Sequence, residues 1–125
     1  MDFKTNEFGA NKPFAHMFFF QLSDTSKELV DDFIKLCVKY LSHHPGQEHF
    51  SVGCRALEID RPVSAKNFEI AIHMVFTNEA AYNKYSKSQP HNDFITHSAG
   101  MSPDRIVYDS FLQVSVEPVV KKKKK

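Results

Sequence analysis

A chain of 125 residues has the length of one domain, and 42% hydrophobic with 13% aromatic residues supplies a packed core, which excludes disorder for its body. The formal charge of +1 misleads, because Lys121–Lys125 hold five of the 16 basic side chains, and the 11 that remain stand against 15 acidic ones, a net of −4. A body of that sign excludes a phosphate-tracking surface, since non-specific nucleic-acid binding rests on clustered Lys and Arg.

Residues 1–13 carry Gly9, Lys12 and Pro13 without periodicity and read as a flexible arm. Phe14–Leu22, FAHMFFFQL, is too short for most helices and reads as a strand buried on both faces, with His16, Phe18 and Phe20 on one side and Met17 and Phe19 on the other. It is also too short to cross a bilayer, which needs about 20 apolar residues. Thr25-Ser-Lys-Glu28 matches a capping box ahead of a helix. Its apolar face carries Leu29, Phe33, Leu36, Cys37, Tyr40 and Leu41, and the helix ends near His43 and His44 at Pro45-Gly46. His49–Ile59 is a second strand, and Phe68–Phe76 a third, with Phe68, Ile70, Ile72, Met74 and Phe76 on one face and Ala71, His73 and Val75 on the other.

A second helix starts at Thr77 or Asn78, either of which can cap it, and runs to Lys87. Pro90 interrupts the pattern before a short helical piece from His91 to Ala99. Arg105–Val116 alternates as a fourth strand and closes the domain at 116, leaving 117–125 as a disordered Lys-rich tail. Cys37 and Cys54 lack the spacing of a disulfide framework or a zinc motif and read as small buried hydrophobes. The first thirteen residues lack the apolar centre of a signal peptide. The expectation is a soluble cytoplasmic protein with no membrane partner.

The order strand, helix, strand, strand, helix, strand is that of a ferredoxin-like βαββαβ domain, an α+β fold with a four-stranded antiparallel sheet. The first and third strands lie centrally in that topology, and they are the most apolar ones here. Helices cover only one face of such a sheet. Apolar residues on both faces of the central strands, and 12 Phe in so small a chain, call for a second cover. A second copy of the sheet, giving a twofold homodimer, supplies it.

Three stretches carry a resemblance to the stress-responsive α/β-barrel domain family, or dimeric α/β barrels: the opening Ala15-His16-Met17-Phe18, the third strand running into Phe76-Thr-Asn-Glu-Ala-Ala81, and Tyr85…His91…Phe94. Val107-Tyr-Asp-Ser-Phe111 resembles the family's last strand. Of the family's His-Pro-x-His-x-x-Phe signature, His91 and Phe94 remain, Ser88 stands in place of the first histidine, and Gln89 and Pro90 alter the start. The resemblance implies a homodimer whose sheets face each other as a barrel. One plant member of the family, a polyketide cyclase, uses a tyrosine and a histidine in this second helical region, matched by Tyr85 and His91. Its early-strand histidine and late-strand aspartate match His16 and Asp109.

Those positions make the candidate site. An imidazole titrating near pH 6.5 is a base at neutral pH, and a Tyr hydroxyl polarises a carbonyl or holds an enolate. Asp109 can orient the His91 ring by accepting its second N–H. The plainer alternative has His91 capping the short helix or bonding a backbone carbonyl. His16 is a further pocket candidate, whereas His73 lies on the opposite face. His43, His44 and His49 lack the cysteines or carboxylates that would complete a tetrahedral metal site, and no Gly-rich phosphate loop or nucleophile elbow is present. No metal and no cofactor are expected. Three functions fit: a homodimer binding a small apolar or aromatic molecule, a cofactor-independent polyketide-cyclase-like or monooxygenase-like enzyme using Tyr85 and His91, and a structural dimer with no ligand.

Overall fold

A computed structural model describes residues 8–119. Residues 1–7 of the expected arm over 1–13, and residues 120–125 of the expected tail over 117–125, lie outside the described residues. Four strands, β1 (Phe14–Gln21), β2 (Gln47–Cys54), β3 (Ile70–Phe76) and β4 (Asp104–Phe111), form one antiparallel sheet in the order β2-β3-β1-β4. Three helices, α1 (Lys27–Leu41), α2 (Glu79–Ser86) and α3 (Gln89–Ser98), pack on one face of it. The expected order and the central β1–β3 pair are those found. Among the described residues no helix is long and apolar enough to cross a membrane.

The core follows from the two periodicities. Phe14, Phe18 and Phe20 of β1 and Ile70, Ile72, Met74 and Phe76 of β3 point to the helices, which answer with Phe33, Cys37 and Leu41 of α1, Tyr85 of α2 and Phe94 of α3. In α1 the buried residues recur every fourth position, so one stripe faces the sheet while Asp32, Lys35 and Lys39 face solvent. Burial pushes the Cys37 thiol up to about 12, so it remains a protonated, inert hydrophobe. Cys54, at the end of edge strand β2, is exposed and does not share that role.

Local chemistry shifts several boundaries from the sequence reading. Ser26, not Thr25, caps α1: its Oγ accepts from Leu29 N–H at 3.3 Å, while Asp24 accepts from Ser26 N–H at 2.8 Å. Glu28 therefore falls one place short of closing a capping box. β2 ends at Cys54, and Leu57 and Ile59 lie exposed in the following loop. Phe68 precedes β3 and turns to the helix-free face, against Phe19 at 5.1 Å, rather than joining Ile70. Pro90 sits in the first turn of α3, where its missing N–H is harmless. β4 stops at Phe111 because its partner strand starts after Pro13, which has no N–H to offer; Leu112 N–H to the Pro13 carbonyl at 2.9 Å is the last rung. Val114 and Val116 then lie exposed.

The turn from α1 into β2 brings α2 over the sheet. Gly46 has φ +78°, and a Cβ there would meet the Ala81 Cβ at 2.6 Å. The Gly46 carbonyl accepts from both Thr77 N–H (2.8 Å) and Thr77 Oγ1 (3.1 Å) just ahead of α2. The helix carrying Tyr85 is thereby anchored at its start.

Candidate functional site

The helices pack over β1, β2 and β3 and leave β4 largely exposed. A cleft of about 200 Å³ results between β1, β4, α2 and α3, lined by His16, Tyr82, Tyr85, His91, Arg105 and Val107 among others. Drug-sized sites run to about 300–1,000 Å³, so this one suits a molecule of a single ring.

Each polar residue reaches the cleft for a local reason. His16 lies opposite Asp109 in the β1–β4 register, and the two side chains meet with His16 Nδ1 and Asp109 Oδ1 2.5 Å apart. A carboxylate at Nδ1 fixes which ring nitrogen carries the proton. Asp109 therefore orients His16, not His91 as the sequence suggested, because the pairing is set by strand register. Asn78 caps α2 by accepting from Ala81 N–H at 3.0 Å. Tyr82 and Tyr85, three residues apart, then fall on the same side of that helix. The Tyr82 ring stacks at 4.5 Å on Phe14 and lies 4.9 Å from His16. Burial, then the charge of Asp109, raises the pKa of its hydroxyl.

Ser88, in the place of the signature's first histidine, is the link between α2 and α3. Its Oγ donates to the Tyr85 carbonyl at 2.7 Å and accepts from His91 N–H at 3.3 Å as the α3 cap. His91 is thus capped rather than capping, and its ring lies 5.1 Å from that of Tyr85. Neither the Tyr85 hydroxyl nor His91 Nδ1 has a hydrogen-bond partner among the described residues, although both atoms are buried. Burial raises the Tyr85 pKa, with Tyr82 and Cys37 adding to it. Burial also lowers that of His91, helped by His16, His44 and Arg105 nearby. The pair therefore presents a neutral phenol beside a neutral imidazole.

The structure thus brings all four sequence candidates, Tyr85, His91, His16 and Asp109, to one end of the domain. Tyr82 and Arg105 were missed. The i, i+3 spacing from Tyr85 marks Tyr82, whereas nothing short of the β4 register marks Arg105. Of the other histidines, His44 Nε2–H donates to the Tyr40 carbonyl at 2.8 Å, and His49 bonds Ser51 Oγ at 3.0 Å. A wider hollow of about 320 Å³ lies by Phe19, Phe68, Ile106 and Tyr108. It belongs to the helix-free sheet face and holds none of the unpartnered buried atoms.

Comparison with known proteins agrees with this fold. A protein of the Dabb family with a ferredoxin-like fold from Mesorhizobium loti superposes with a TM-score of 0.69 at 20% identity, over 83% of this chain and 99% of that one. A hydroxynitrile lyase from Passiflora edulis gives 0.68 at 17% identity, over 86% and 99%. A dimeric ferredoxin-like protein of unknown function from Thermobifida fusca gives 0.66 at 20% identity, over 83% and 94%. At such identities the likeness is one of fold. No curated protein matches the chain. The family model of the stress responsive A/B barrel domain matches residues 14–112, from the first residue of β1 to just past the end of β4, and the chain belongs to that family.

Proposed function

We propose that the cleft binds a small, largely apolar or aromatic molecule through an oxygen atom. The observation that carries this reading is the buried Tyr85 hydroxyl, which has no hydrogen-bond partner among the described residues. A buried polar group left unpaired costs about 1–3 kcal/mol, and a ligand carbonyl or phenol oxygen at that point offsets it. A structural dimer with a filled interior has no use for such a donor. The test is an NMR titration with phenol and acetophenone. Shifts of the Tyr85 and His91 side-chain signals are expected, with affinity about tenfold weaker in Tyr85→Phe. Absence of shifts with either compound, or equal affinity in the variant, removes the reading.

A homodimer is part of the proposal. The helix-free face presents Met17, Phe19, Val75, Ile106 and Tyr108, with Phe19 in edge contact with Tyr108 at 6.0 Å. Three of the neighbours on this fold are described as dimeric. A second sheet is the cover that such a face fits.

A neutral His91 imidazole beside the unpartnered Tyr85 hydroxyl supports a second reading, proton transfer beside a carbonyl. The His91 imidazole takes a proton from the carbon next to the ligand carbonyl, and Tyr85 O–H donates to the enolate oxygen. Reprotonation from the imidazolium restores the ketone, so the step balances without a redox partner. A lyase stands among the proteins sharing this fold. Deuterium uptake into the acetophenone methyl group in D2O is expected to be accelerated by the protein and not by His91→Gln. Equal rates with the two proteins reject catalysis while leaving binding intact.

A further inference from the structure

Arg105 is the one permanently charged side chain lining the cleft. It lies on β4 opposite Phe20, so it shares the helix-facing side with Val107 and Asp109. Three ion pairs exist among the described residues and none includes Arg105. Its only hydrogen bond to a side chain comes from its backbone N–H, to Asp104. A guanidinium is a rigid fork of donors whose geometry matches a carboxylate.

The cleft is therefore polarised along its length. The His16–Asp109 pair sits at one end and Arg105 at the other, four residues along the same strand, or ~13 Å between backbones at about 3.3 Å per residue. Tyr85 and His91 look in from the helix side. The wall that joins the two ends is apolar, with Phe18, Phe20, Phe94 and Val107. Arg105 also borders the hollow on the helix-free face, but the unpartnered buried polar atoms lie on the helix side, and its charge is felt there by His91.

We infer that the ligand of this cleft is an aromatic acid, its ring on the apolar wall, its carboxylate held by Arg105, and its ring or carbonyl oxygen held by Tyr85. This rests on the ligand-binding reading above and adds to it a substrate class and a specificity-determining residue. Arg105 is exposed and unpaired, so replacing it leaves the core untouched.

The experiment compares salicylate with its neutral counterpart salicylamide by NMR titration of the full chain at low salt. The wild type is expected to bind salicylate about tenfold more tightly than salicylamide, as one charge-assisted hydrogen-bonded pair allows. Arg105→Gln is expected to bind the two equally, and Arg105→Lys to keep part of the preference, with shifts at Tyr85 and His91 in every case. Equal affinities in the wild type, a preference that survives Arg105→Gln, or shifts confined to Phe68 and Ile106 overturns the inference. So does the absence of shifts from either compound at about 10 mM, a level at which even a millimolar Kd fills the site. In that event the ligand-binding reading itself stands or falls by the phenol and acetophenone titration.

Discussion

Replacing Tyr85 by Phe is expected to make this protein more stable and a poorer binder. The Tyr85 side chain is 1% exposed, and its hydroxyl is buried without a partner. Phe keeps the ring and its packing against His44 at 4.8 Å, Phe76 at 5.1 Å and His91 at 5.1 Å. What leaves is one oxygen whose desolvation is uncompensated, so the gain is about 1–3 kcal/mol. With an unfolding entropy of about 2.1 cal/mol/K per residue, a chain of 125 residues shifts its Tm by roughly 4 °C per kcal/mol, hence by about 4–12 °C. The assay is thermal and urea unfolding followed by far-UV circular dichroism, with both proteins ligand-free and at equal concentration, since association alters apparent stability. A Tyr85→Phe protein that is less stable than the wild type refutes the reasoning. It would mean that the hydroxyl is paired in solution, and the demand for a ligand oxygen would disappear with its cause.

Two further outcomes are expected. Because burial and positive neighbours hold the folded-state pKa of His91 below the usual value near 6.5, the unfolded chain binds the extra proton first. Stability is therefore full above about pH 6.5 and declines as pH falls through the window below it. His91→Gln should lose that part of the slope in urea unfolding followed against pH, and parallel curves for the two proteins would argue against it. In light scattering at micromolar concentration the wild type should show twice the 14.4 kDa chain mass, and Phe19→Glu, with a charge in the middle of the helix-free face, should fall to the single-chain mass. A wild type that scatters as one chain removes the dimer proposal.

What could be read directly from the residues was local in origin. A period of two placed Phe18 and Phe20 on one side of β1 and Phe19 on the other. A period near 3.6 placed Phe33, Cys37 and Leu41 on one side of α1. Element order then limited the topology, because a split βαβ pattern has few ways to close. Boundaries were less legible wherever two neighbouring groups competed for one task. Asp24 and Ser26 together displaced Thr25 as the start of α1, and the missing N–H of Pro13 ended β4 at Phe111 from across the sheet.

The residues alone thus determined the α+β architecture, the central pair of strands and the positions of Tyr85 and His91 near the α2–α3 junction, all of which follow from spacing along one chain. Only the tertiary structure decided that Asp109 meets His16 and that Arg105 shares the cleft. The reason is physical: the register between β1 and β4 joins residues 93 positions apart. A shift of one residue would have turned every β4 side chain to the opposite face.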